Sequence, residues 1–285
     1  PKSFWYRIYE PFIRKAAGLG VASTKHDKER YEHKYEYNDR GFCVVRSVAE
    51  QKSVAKLKCH LDIIVDDLIA SGADVGSFIN FADEDCSIVN SIHRLEQLND
   101  SFLASFISEN YFSNIASMLL GCRDPVLFSI QAFLKPAGSG LRTPPHQDNA
   151  YWCHSGNGGI TLWLALDNAG PRNGMMKYTT FSNDTLVNHV LSSNTPGSSQ
   201  IIEWSTLESC EWVQPTLEIG DVAVHHGLTV HFSEANTSDF PRRGFLLNYR
   251  KPDCKRDQNK YDKYLSRLES IYRNGHPENN TNQQG

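Results

Sequence analysis

The sequence predicts an α+β, mainly β fold in which a jelly-roll or sandwich core of short strands is flanked by helices. Two features of the chain predict this fold. Before residue 125, apolar residues recur at the three- and four-residue spacing of amphipathic helices. From residue 125 onward, short runs rich in β-branched and aromatic residues alternate with turns rich in Gly, Pro and Asn. Many short strands at this rhythm are typical of a jelly roll.

The part of the chain before the core is predicted to be mostly helical. Residues 1–20 are predicted to form an amphipathic helix that docks on the body of the protein. Residues 25–40 are dense in charge and tyrosine and are predicted to be a linker or exposed arm. A short strand is expected at 41–46, a helix over 47–71, and one or two further helices over 95–120.

The predicted strands follow in close succession, and one more helix is expected after them, over residues 260–273. We expect residues 1–40 to form an N-terminal helix and charged arm, and 41–273 a single domain whose core spans about 125–250. Residues 274–285 are polar and are expected to be a disordered tail. The predicted strands lie at 126–134, 159–166, 175–180, 200–204, 209–213, 221–225, 228–231 and 244–250.

Composition excludes several classes of protein. The 285 residues carry a net charge of −4, which makes a nucleic-acid partner a poor expectation. No stretch is apolar enough to span a membrane. The seven cysteines are widely spaced and include no Cys-x-x-Cys, which argues against a disulfide framework or a zinc site and favours a reducing, cytoplasmic location. The sequence predicts no particular oligomeric state.

One short motif points to a metal. His146 and Asp148 are two residues apart, and His231 follows much later in the chain. On a β-strand, residues i and i+2 share a face, so His146 and Asp148 would both reach one ion while Gln147 points away. Two histidines and one carboxylate are the facial triad of non-haem Fe(II) oxygenases, which leaves coordination positions open.

Further motifs accompany this one. They are the run at 145–152, the strand 161–167 followed by 173–176, the Gly-Asp turn at 220–221, and the stretch from His231 to Arg242. Together they resemble the phytanoyl-CoA dioxygenase family of Fe(II)- and 2-oxoglutarate-dependent oxygenases, roughly from residue 41 to residue 250. The resemblance implies a double-stranded β-helix, or cupin-like jelly roll.

The resemblance also implies roles for particular residues. It makes His146, Asp148 and His231 the iron ligands, with 2-oxoglutarate and O2 as co-substrates. It places Ser233 and Arg242, and the tryptophan Trp163, at the 2-oxoglutarate. His225 and His226 compete with His231 for the third ligand position. We expect neither to be the ligand, because neither is followed by the same Ser and Arg pattern.

Arg242 suits its implied role on chemical grounds. A guanidinium forms two parallel charge-assisted hydrogen bonds to a carboxylate, which the ammonium of lysine cannot match. Ser233 adds a hydroxyl to the same carboxylate, and Arg243, next on the strand, should face the other way. Gln131 is a candidate donor to the co-substrate's other carboxylate, with a plain structural role as the alternative.

The substrate contacts are less defined by the sequence. Candidates are Asn149, Tyr151, Trp152 and Tyr178, with ordinary packing as the alternative for the aromatic residues. The loop 188–199 is a candidate lid. Residues 175–183 lack the Pro-Gly-Ser-His turn found in many family members, so an acyl-CoA substrate is not implied.

The sequence therefore predicts an enzyme that hydroxylates an unactivated C–H bond of a small polar metabolite, such as a zwitterion or a phosphonate. Succinate and CO2 would be the co-products. Alternatives on the same fold are a desaturase, a cyclase or a halogenase. Related halogenases lack the carboxylate ligand, so Asp148 favours hydroxylation. A third possibility, from another class, is a cupin-like metal-binding protein that is not an oxygenase. Arg242 and Ser233 argue against it.

Overall fold

The computed structural model describes residues 25–71, 78–83, 85–155, 158–179, 185–191, 199–201, 207 and 210–275. The described helices precede, interrupt and follow the strands. A short 3-10 helix at Leu95–Gln97 lies among them. The α-helices are α1 (Lys25–Arg40), α2 (Gln51–Ala70), α3 (Ser101–Glu109), α4 (Phe112–Leu120), α5 (Asn149–Trp152) and α6 (Gln258–Gly275).

The described strands form two sheets and a separate hairpin. The larger sheet has seven strands in the order β1-β11-β6-β13-β4-β3-β2, and the smaller has four in the order β10-β7-β12-β5. The hairpin pairs β8 with β9. The strands are β1 (Phe42–Val45), β2 (Ile79–Phe81), β3 (Val89–Ile92), β4 (Val126–Phe133), β5 (Thr143–His146), β6 (Gly159–Ala165), β7 (Met176–Thr179), β8 (His189–Leu191), β9 (Ser199–Ile201), β10 (Trp212–Val213), β11 (Val222–His226), β12 (His231–Ser233) and β13 (Gly244–Arg250).

The two faces of the seven-stranded sheet have different characters, because successive side chains on a strand point to opposite faces. On β6, the outward residues are Ile160, Leu162 and Leu164, and they belong to the main hydrophobic core. The inward residues are Thr161 and Trp163, and Trp163 belongs to a second cluster. On β6, the side chains that can take part in chemistry therefore lie on the inner face.

Helix α2 shows how the outer face is covered. Its buried residues Val54, Leu57, Leu61, Ile64 and Leu68 recur every three or four positions, so they form one apolar stripe. The stripe lies in the same core as the outward residues of β6, β11 and β13. Helices on one side and a four-stranded sheet on the other enclose the larger sheet, and this is the double-stranded β-helix with flanking helices that the sequence predicts.

The structure corrects several predicted elements. Residues 25–40 form helix α1 and not a linker or exposed arm, and Tyr37 from this helix is buried in the main core. The strand predicted at 228–231 begins only at His231, after a turn. Strands β2, β3 and β8 have no predicted counterpart, and β5 (Thr143–His146) was expected only through the strand spacing of His146 and Asp148. The helix predicted over 1–20 lies outside the described residues, as do 192–198 of the candidate lid and 276–285 of the tail.

All seven cysteines are free thiols. Within the described residues, every helix is too short or too polar to cross a bilayer.

Candidate metal centre

Three side chains from neighbouring segments converge on the inner side of the four-stranded sheet. His231 on β12 is the cross-strand partner of His146 on β5, so the two imidazoles lie side by side with ring centroids 4.2 Å apart. Asp148 Oδ1 lies 3.4 Å from His146 Nε2 and 3.6 Å from His231 Nε2. The structure therefore brings together the three residues that the sequence singled out.

Asp148 reaches this position by a route that differs from the predicted one. Strand β5 ends at His146, and Asp148 has the helical backbone angles φ −58° and ψ −32° at the start of α5. The two ligands do not share a strand face. The chain turns from strand into helix between them, and this turn points the carboxylate back toward the imidazoles.

Gln147 does point away from the centre, as predicted. Its side-chain amide donates to the carbonyl oxygens of Thr185 (2.8 Å) and Leu228 (2.6 Å) and accepts from Val187 N (2.9 Å). Its backbone N–H donates to His189 Nε2 at 3.0 Å. Gln147 thereby fastens the segment that begins at residue 185 to the turn that carries the metal ligands.

Hydrogen bonds fix which nitrogen of each imidazole faces the centre. His146 Nδ1 lies 2.8 Å from Pro144 O, and His231 Nδ1 lies 3.0 Å from Thr229 O. A carbonyl oxygen only accepts, so each Nδ1 carries the proton and each Nε2 presents a lone pair. This tautomer is the one that a metal requires, and an outer hydrogen bond of this kind is usual for metal-bound histidines.

The three atoms that face the centre suit a divalent metal ion. Three atoms that can only accept face one another, and all lie within 4.8 Å, an arrangement that a cation between them stabilises. Ligands at right angles and about 2.1 Å from a metal are about 3.0 Å apart, which the observed spacings approach. Burial and the neighbouring His225 and His146 lower the pKa of His231, so this ring is neutral.

The second oxygen of Asp148 is held by two donors. Thr161 Oγ1 lies 2.5 Å and His225 Nε2 lies 3.0 Å from Asp148 Oδ2. Thr161 has one hydroxyl proton, and the shorter contact assigns it to Asp148. The Asn248 amide atom 3.0 Å from Thr161 Oγ1 is then its nitrogen, because amide oxygen and nitrogen positions are interchangeable by a flip. These contacts leave Oδ1 alone to bind a metal.

His225 is a residue that the sequence interpretation set aside. Its Nε2 faces Asp148 Oδ2 and lies outside the group formed by His146, Asp148 and His231. Successive side chains of β11 point to opposite faces of the sheet, and this alternation could have distinguished His225 from His226 in the sequence. His225 points inward with Ala223, whereas His226 points outward to the ring of Tyr37.

Replacing His225 with phenylalanine is expected to weaken Fe(II) binding about 10- to 100-fold, because Asp148 loses a donor that fixes its orientation. The measurement is anaerobic calorimetric titration of the metal. His226→Phe is the matched control, since His226 accepts a hydrogen bond from Leu228 N on the other side of the sheet. Equal Fe(II) affinities in the His225 variant and the wild type would contradict this role.

Arg242 is 2% exposed and lies on the inner side of the fold. Its Nε and Nη2 donate to Gly174 O at 3.1 and 2.6 Å, and its guanidinium lies 5.1 Å from the centre of the Trp163 ring. Burial lowers the pKa of Arg242 to about 10. Arg243 faces the other way, as predicted, and forms two hydrogen bonds with Asp167 at 2.7 and 2.9 Å.

Lys135 is a second buried cation beside Arg242, and the sequence interpretation missed it. It is 1% exposed, and its Nζ donates to Ser233 Oγ at 2.7 Å and to the carbonyl of Glu234. Burial and then Arg242 lower its pKa well below the usual range. A lysine at the end of a strand and before a Gly- and Pro-rich turn resembles an exposed loop residue, so no local signal marks it.

Lys135 and Arg242 form a pair of neighbouring buried cations, and Arg242 N donates to Lys135 O at 3.0 Å. In the described part of the chain, no carboxylate lies within ion-pair distance of Lys135 or Arg242. Buried charges of the same sign cost free energy unless an anion joins them. Ser233, which accepts from Lys135, follows His231 by two residues on β12 and so connects this pair of cations to the metal centre.

Gly244 makes room for the ring beneath Arg242. A Cβ on Gly244 would lie 2.1 Å from Cε2 and Cζ2 of Trp163. Gly244→Ala is therefore expected to displace Trp163 and to destabilise the fold by about 1–3 kcal/mol through overpacking. Thermal unfolding and tryptophan fluorescence check this. Gly170→Ala is the control, since a Cβ there would meet only Thr216 Cγ2 at 3.7 Å. Equal stability of the two variants would contradict the packing.

The remaining predicted site residues divide into two groups. Tyr178 is buried beside the metal centre, with ring centroids 5.9 Å from His231 and 5.4 Å from His225. Tyr151 is half-buried with its ring 5.5 Å from that of His146, and Tyr264 of α6 packs behind it at 5.8 Å. These two aromatic residues border the centre.

The contacts of Asn149 and Trp152 stabilise the fold around helix α5. The Asn149 amide donates to His154 O at 3.0 Å and accepts from His154 N at 2.9 Å, which closes the turn after α5. Trp152 is buried with its ring against that of Phe128 at 5.2 Å. Gln131 is joined to His93 at 3.1 Å and to Ser129 at 3.0 Å.

Comparisons with known proteins place the chain in a family. The phytanoyl-CoA dioxygenase (PhyH) family model matches residues 37–244, well over half of the chain. The probable alpha-ketoglutarate-dependent hypophosphite dioxygenase of Stutzerimonas stutzeri is 25% identical over 229 residues, which cover 78% of this chain and 79% of the relative.

Solved structures share the fold. The non-heme alpha ketoglutarate dependent carbocyclase SnoK from nogalamycin biosynthesis has a TM-score of 0.63 and 23% identity, over 83% of this chain and 89% of that chain. The epimerase SnoN, in complex with Fe3+, alpha ketoglutarate and nogalamycin RO, has a TM-score of 0.60 and 19% identity, over 80% of this chain and 85% of that chain. With the family match, the fold and the His-Asp-His group, the chain belongs to the phytanoyl-CoA dioxygenase family of iron- and 2-oxoglutarate-dependent oxygenases.

Proposed function

We propose that this protein hydroxylates an unactivated C–H bond of a small polar metabolite, with 2-oxoglutarate and O2 consumed and succinate and CO2 released. The observation that carries the proposal is the metal centre with an intact carboxylate ligand next to a buried pair of cations. Asp148 Oδ1 faces two imidazole Nε2 atoms, and Lys135 and Arg242 lie behind Ser233. A metal site with a carboxylate-binding group beside it is what this reaction needs.

In this proposal His146, Asp148 and His231 hold Fe(II), which supplies the redox chemistry together with 2-oxoglutarate and O2 when bound. Arg242, Lys135 and Ser233 hold the far carboxylate of 2-oxoglutarate. Charge-assisted hydrogen bonds of this kind are stronger than neutral ones, and the guanidinium fork also fixes orientation.

The ring of Trp163 supports the Arg242 guanidinium from below at 5.1 Å. A cation over an aromatic face is attracted by the negative face of the ring, and the attraction grows when water is excluded. The clamp is thus held in place before a co-substrate arrives. Such preorganisation reduces the entropy lost on binding.

Asp148 favours hydroxylation over halogenation, because it occupies the ligand position that a halide takes in related halogenases. The pair of buried cations, Arg242 and Lys135, disfavours a cupin-like protein without oxygenase activity, since such a protein has no use for a carboxylate clamp. Desaturation and cyclisation differ from hydroxylation in the fate of the oxygen, which the experiment below follows.

A phosphorus- or carboxylate-containing small molecule is the substrate class that we propose. The hypophosphite dioxygenase relative acts, by its name, on a small phosphorus oxyanion. Residues 175–179 carry no Pro-Gly turn, and the chain has a net charge of −4, so nothing suggests a site for the polyphosphate part of an acyl-CoA.

The test is succinate formation from 2-oxoglutarate with Fe(II) under 18O2, over a panel of phosphonates, phosphinates, betaines, amino acids and one acyl-CoA. We expect a small oxyanion to stimulate succinate release and to gain one 18O atom. A product that has lost two hydrogens without gaining oxygen would replace hydroxylation by desaturation or cyclisation. Stimulation by the acyl-CoA alone would contradict the substrate class.

A further inference from the structure

A row of aromatic rings leads from the metal centre to the surface of the protein. The ring centroid of Tyr151 lies 5.5 Å from that of His146, with an interplanar angle of 70°. The ring of Tyr264 lies 5.8 Å from that of Tyr151, and the ring of Tyr261 lies 6.3 Å from that of Tyr264. These spacings are those of directly packed aromatic pairs. We refer to Tyr151, Tyr264 and Tyr261 as the tyrosine row.

Two helices hold the tyrosine row in place. Tyr151 belongs to α5, which follows directly on the metal-binding turn, and Tyr261 and Tyr264 lie one helical turn apart near the start of α6. Arg256, just before α6, connects the two helices. Its Nε donates to Trp152 O at 3.3 Å, and its guanidinium lies 4.0 Å from the centre of the Tyr261 ring. The spacing of the rings is therefore set by packed helices.

The far end of the tyrosine row lies at the surface. All three tyrosines are half-buried, and Lys260 and Asp262, on either side of Tyr261, are exposed. Phenylalanine would fill the same contacts between α5 and α6. The phenol adds a group that can lose one electron and one proton, and water is at hand to accept the proton. The row thus combines close ring contacts with access to solvent.

An iron- and 2-oxoglutarate-dependent centre needs electrons from elsewhere whenever O2 reacts without a substrate. In hydroxylation, the C–H bond of the substrate supplies two electrons. Without it, 2-oxoglutarate and O2 give succinate, CO2 and water only if two further electrons and two protons are supplied. An oxidising equivalent that stays at the centre attacks nearby side chains, and the protein has to prevent such competing reactions.

We propose that the tyrosine row relays these electrons to the metal centre from a small reductant in solution, such as ascorbate or a thiol. Tyr151 gives one electron to the centre and its phenolic proton to water. The Tyr151 radical regains an electron from Tyr264 and a proton from water. Tyr264 is restored in the same way by Tyr261, and Tyr261 by the reductant.

Two such passages complete the reduction. The centre takes up two electrons through the row and two protons from solvent as water forms. One ascorbate is oxidised to dehydroascorbate, or two thiols to a disulfide, which releases the same number of electrons and protons. The inference goes beyond the proposed function and relies on it only for the iron, 2-oxoglutarate and O2.

Tyr178, the other tyrosine beside the centre, offers a poorer path. It is fully buried, its hydroxyl faces Met176 Sδ at 3.7 Å, and its ring is stacked on that of Phe42 at 4.8 Å. A thioether is a weak acceptor, so the phenolic proton of Tyr178 has no good acceptor there. Phenylalanine is much harder to oxidise than tyrosine. Among the residues that the structure describes, the path through Tyr151 is therefore favoured.

Tyrosine-to-phenylalanine variants test the relay, because each keeps the packed ring and removes the group that is oxidised. Each protein reacts with Fe(II), 2-oxoglutarate and O2 without substrate, with and without ascorbate, and the succinate formed is measured. Freeze-quench electron paramagnetic resonance detects tyrosyl radicals, and peptide mass spectrometry locates side chains that have gained oxygen. Tyr249→Phe is the matched control, since Tyr249 is buried in the main core on the other face of the sheet. Thermal unfolding checks that each variant is folded.

Without ascorbate, we expect a tyrosyl signal in the wild type that Tyr151→Phe abolishes and Tyr249→Phe leaves unchanged. Tyr264→Phe should trap the radical at Tyr151, so that the signal outlasts the addition of ascorbate. In the same variant, oxygen insertion within residues 145–153 should rise severalfold for each succinate formed. This ratio does not depend on how active the variant is.

An unchanged tyrosyl signal in Tyr151→Phe would overturn the inference, because the electron would then come from another tyrosine. Equal oxygen insertion per succinate in Tyr264→Phe and the wild type would also overturn it. So would the absence of a tyrosyl signal while succinate forms, or a wild type that forms no succinate without substrate. If Fe(II) and 2-oxoglutarate produce no visible charge-transfer band, the proposed function itself fails, and that result is distinct from the others.

Discussion

Replacing Asp148 with alanine is expected to reduce 2-oxoglutarate turnover to the background without enzyme. Asp148 supplies the only anionic ligand, and two neutral imidazoles alone bind Fe(II) poorly. The variant also leaves the donors of Thr161 and His225 without their acceptor, which costs about 1–3 kcal/mol of folding free energy. Succinate formation and Fe(II) titration are the measurements.

Asp148→Asn separates the two effects of this change. The asparagine oxygen still accepts from Thr161 or His225, so the fold is retained, but the negative charge is lost. We therefore expect Asp148→Asn to unfold at a temperature near that of the wild type and still to lose turnover. Full turnover in either variant would contradict the assignment of Asp148 as a metal ligand.

The second large effect is expected at Arg242. Arg242→Ala should weaken 2-oxoglutarate by about 2–5 kcal/mol, since it removes one partner of a buried charge pair. This corresponds to an increase of roughly thirtyfold to several thousandfold in the dissociation constant. The measurement is anaerobic titration of 2-oxoglutarate into the Fe(II) protein. An unchanged titration would place the carboxylate clamp elsewhere.

Arg243→Ala is the matched control, because Arg243 is the next residue and pairs with Asp167 on the opposite side. It should leave 2-oxoglutarate affinity unchanged. Lys135→Met should also weaken 2-oxoglutarate. If both cations bind one carboxylate, the double variant should lose less binding free energy than the sum of the two single losses. Such non-additivity is expected for residues that share a partner.

The metal ligands were predictable from the sequence because their residue types and spacing are specific to the chemistry. The reason given for that spacing was wrong. An i, i+2 pair suggested one continuous strand, but the chain turns into α5 at Asp148. A two-residue spacing shows that the two ligands are close along the chain, but it does not determine the backbone conformation between them. The helical backbone at Asp148 depends on the bond that Asn149 N donates to Gly227 O, nearly eighty residues away.

His225 and Lys135 show why the surroundings of the site were harder to predict. His225 contacts Asp148 only because β11 pairs with β6 in a register that places it opposite Thr161. Lys135 contacts Ser233 across 98 positions of the chain. Neither contact has a local pattern, since both depend on strand order. Helix α1 was missed for a related reason: its sequence is polar, and tertiary contacts such as that of Tyr37 stabilise it.

Two regions of the inner face differ in character. The two imidazoles and Asp148 form the centre, with His225 and Thr161 fixing the carboxylate. Lys135 and Arg242 form a pair of buried cations beside it, and Lys135 contacts Ser233 on the strand that carries His231.

The most direct test of the central claim is a crystal structure of the protein with Fe(II) and 2-oxoglutarate. The crystals are grown without oxygen, and anomalous scattering locates the iron. We predict one iron bound by Nε2 of His146, Nε2 of His231 and Oδ1 of Asp148, with the far carboxylate of 2-oxoglutarate between Arg242 and Lys135. Iron bound by His225 in place of His231, or 2-oxoglutarate outside this pocket, would contradict the account.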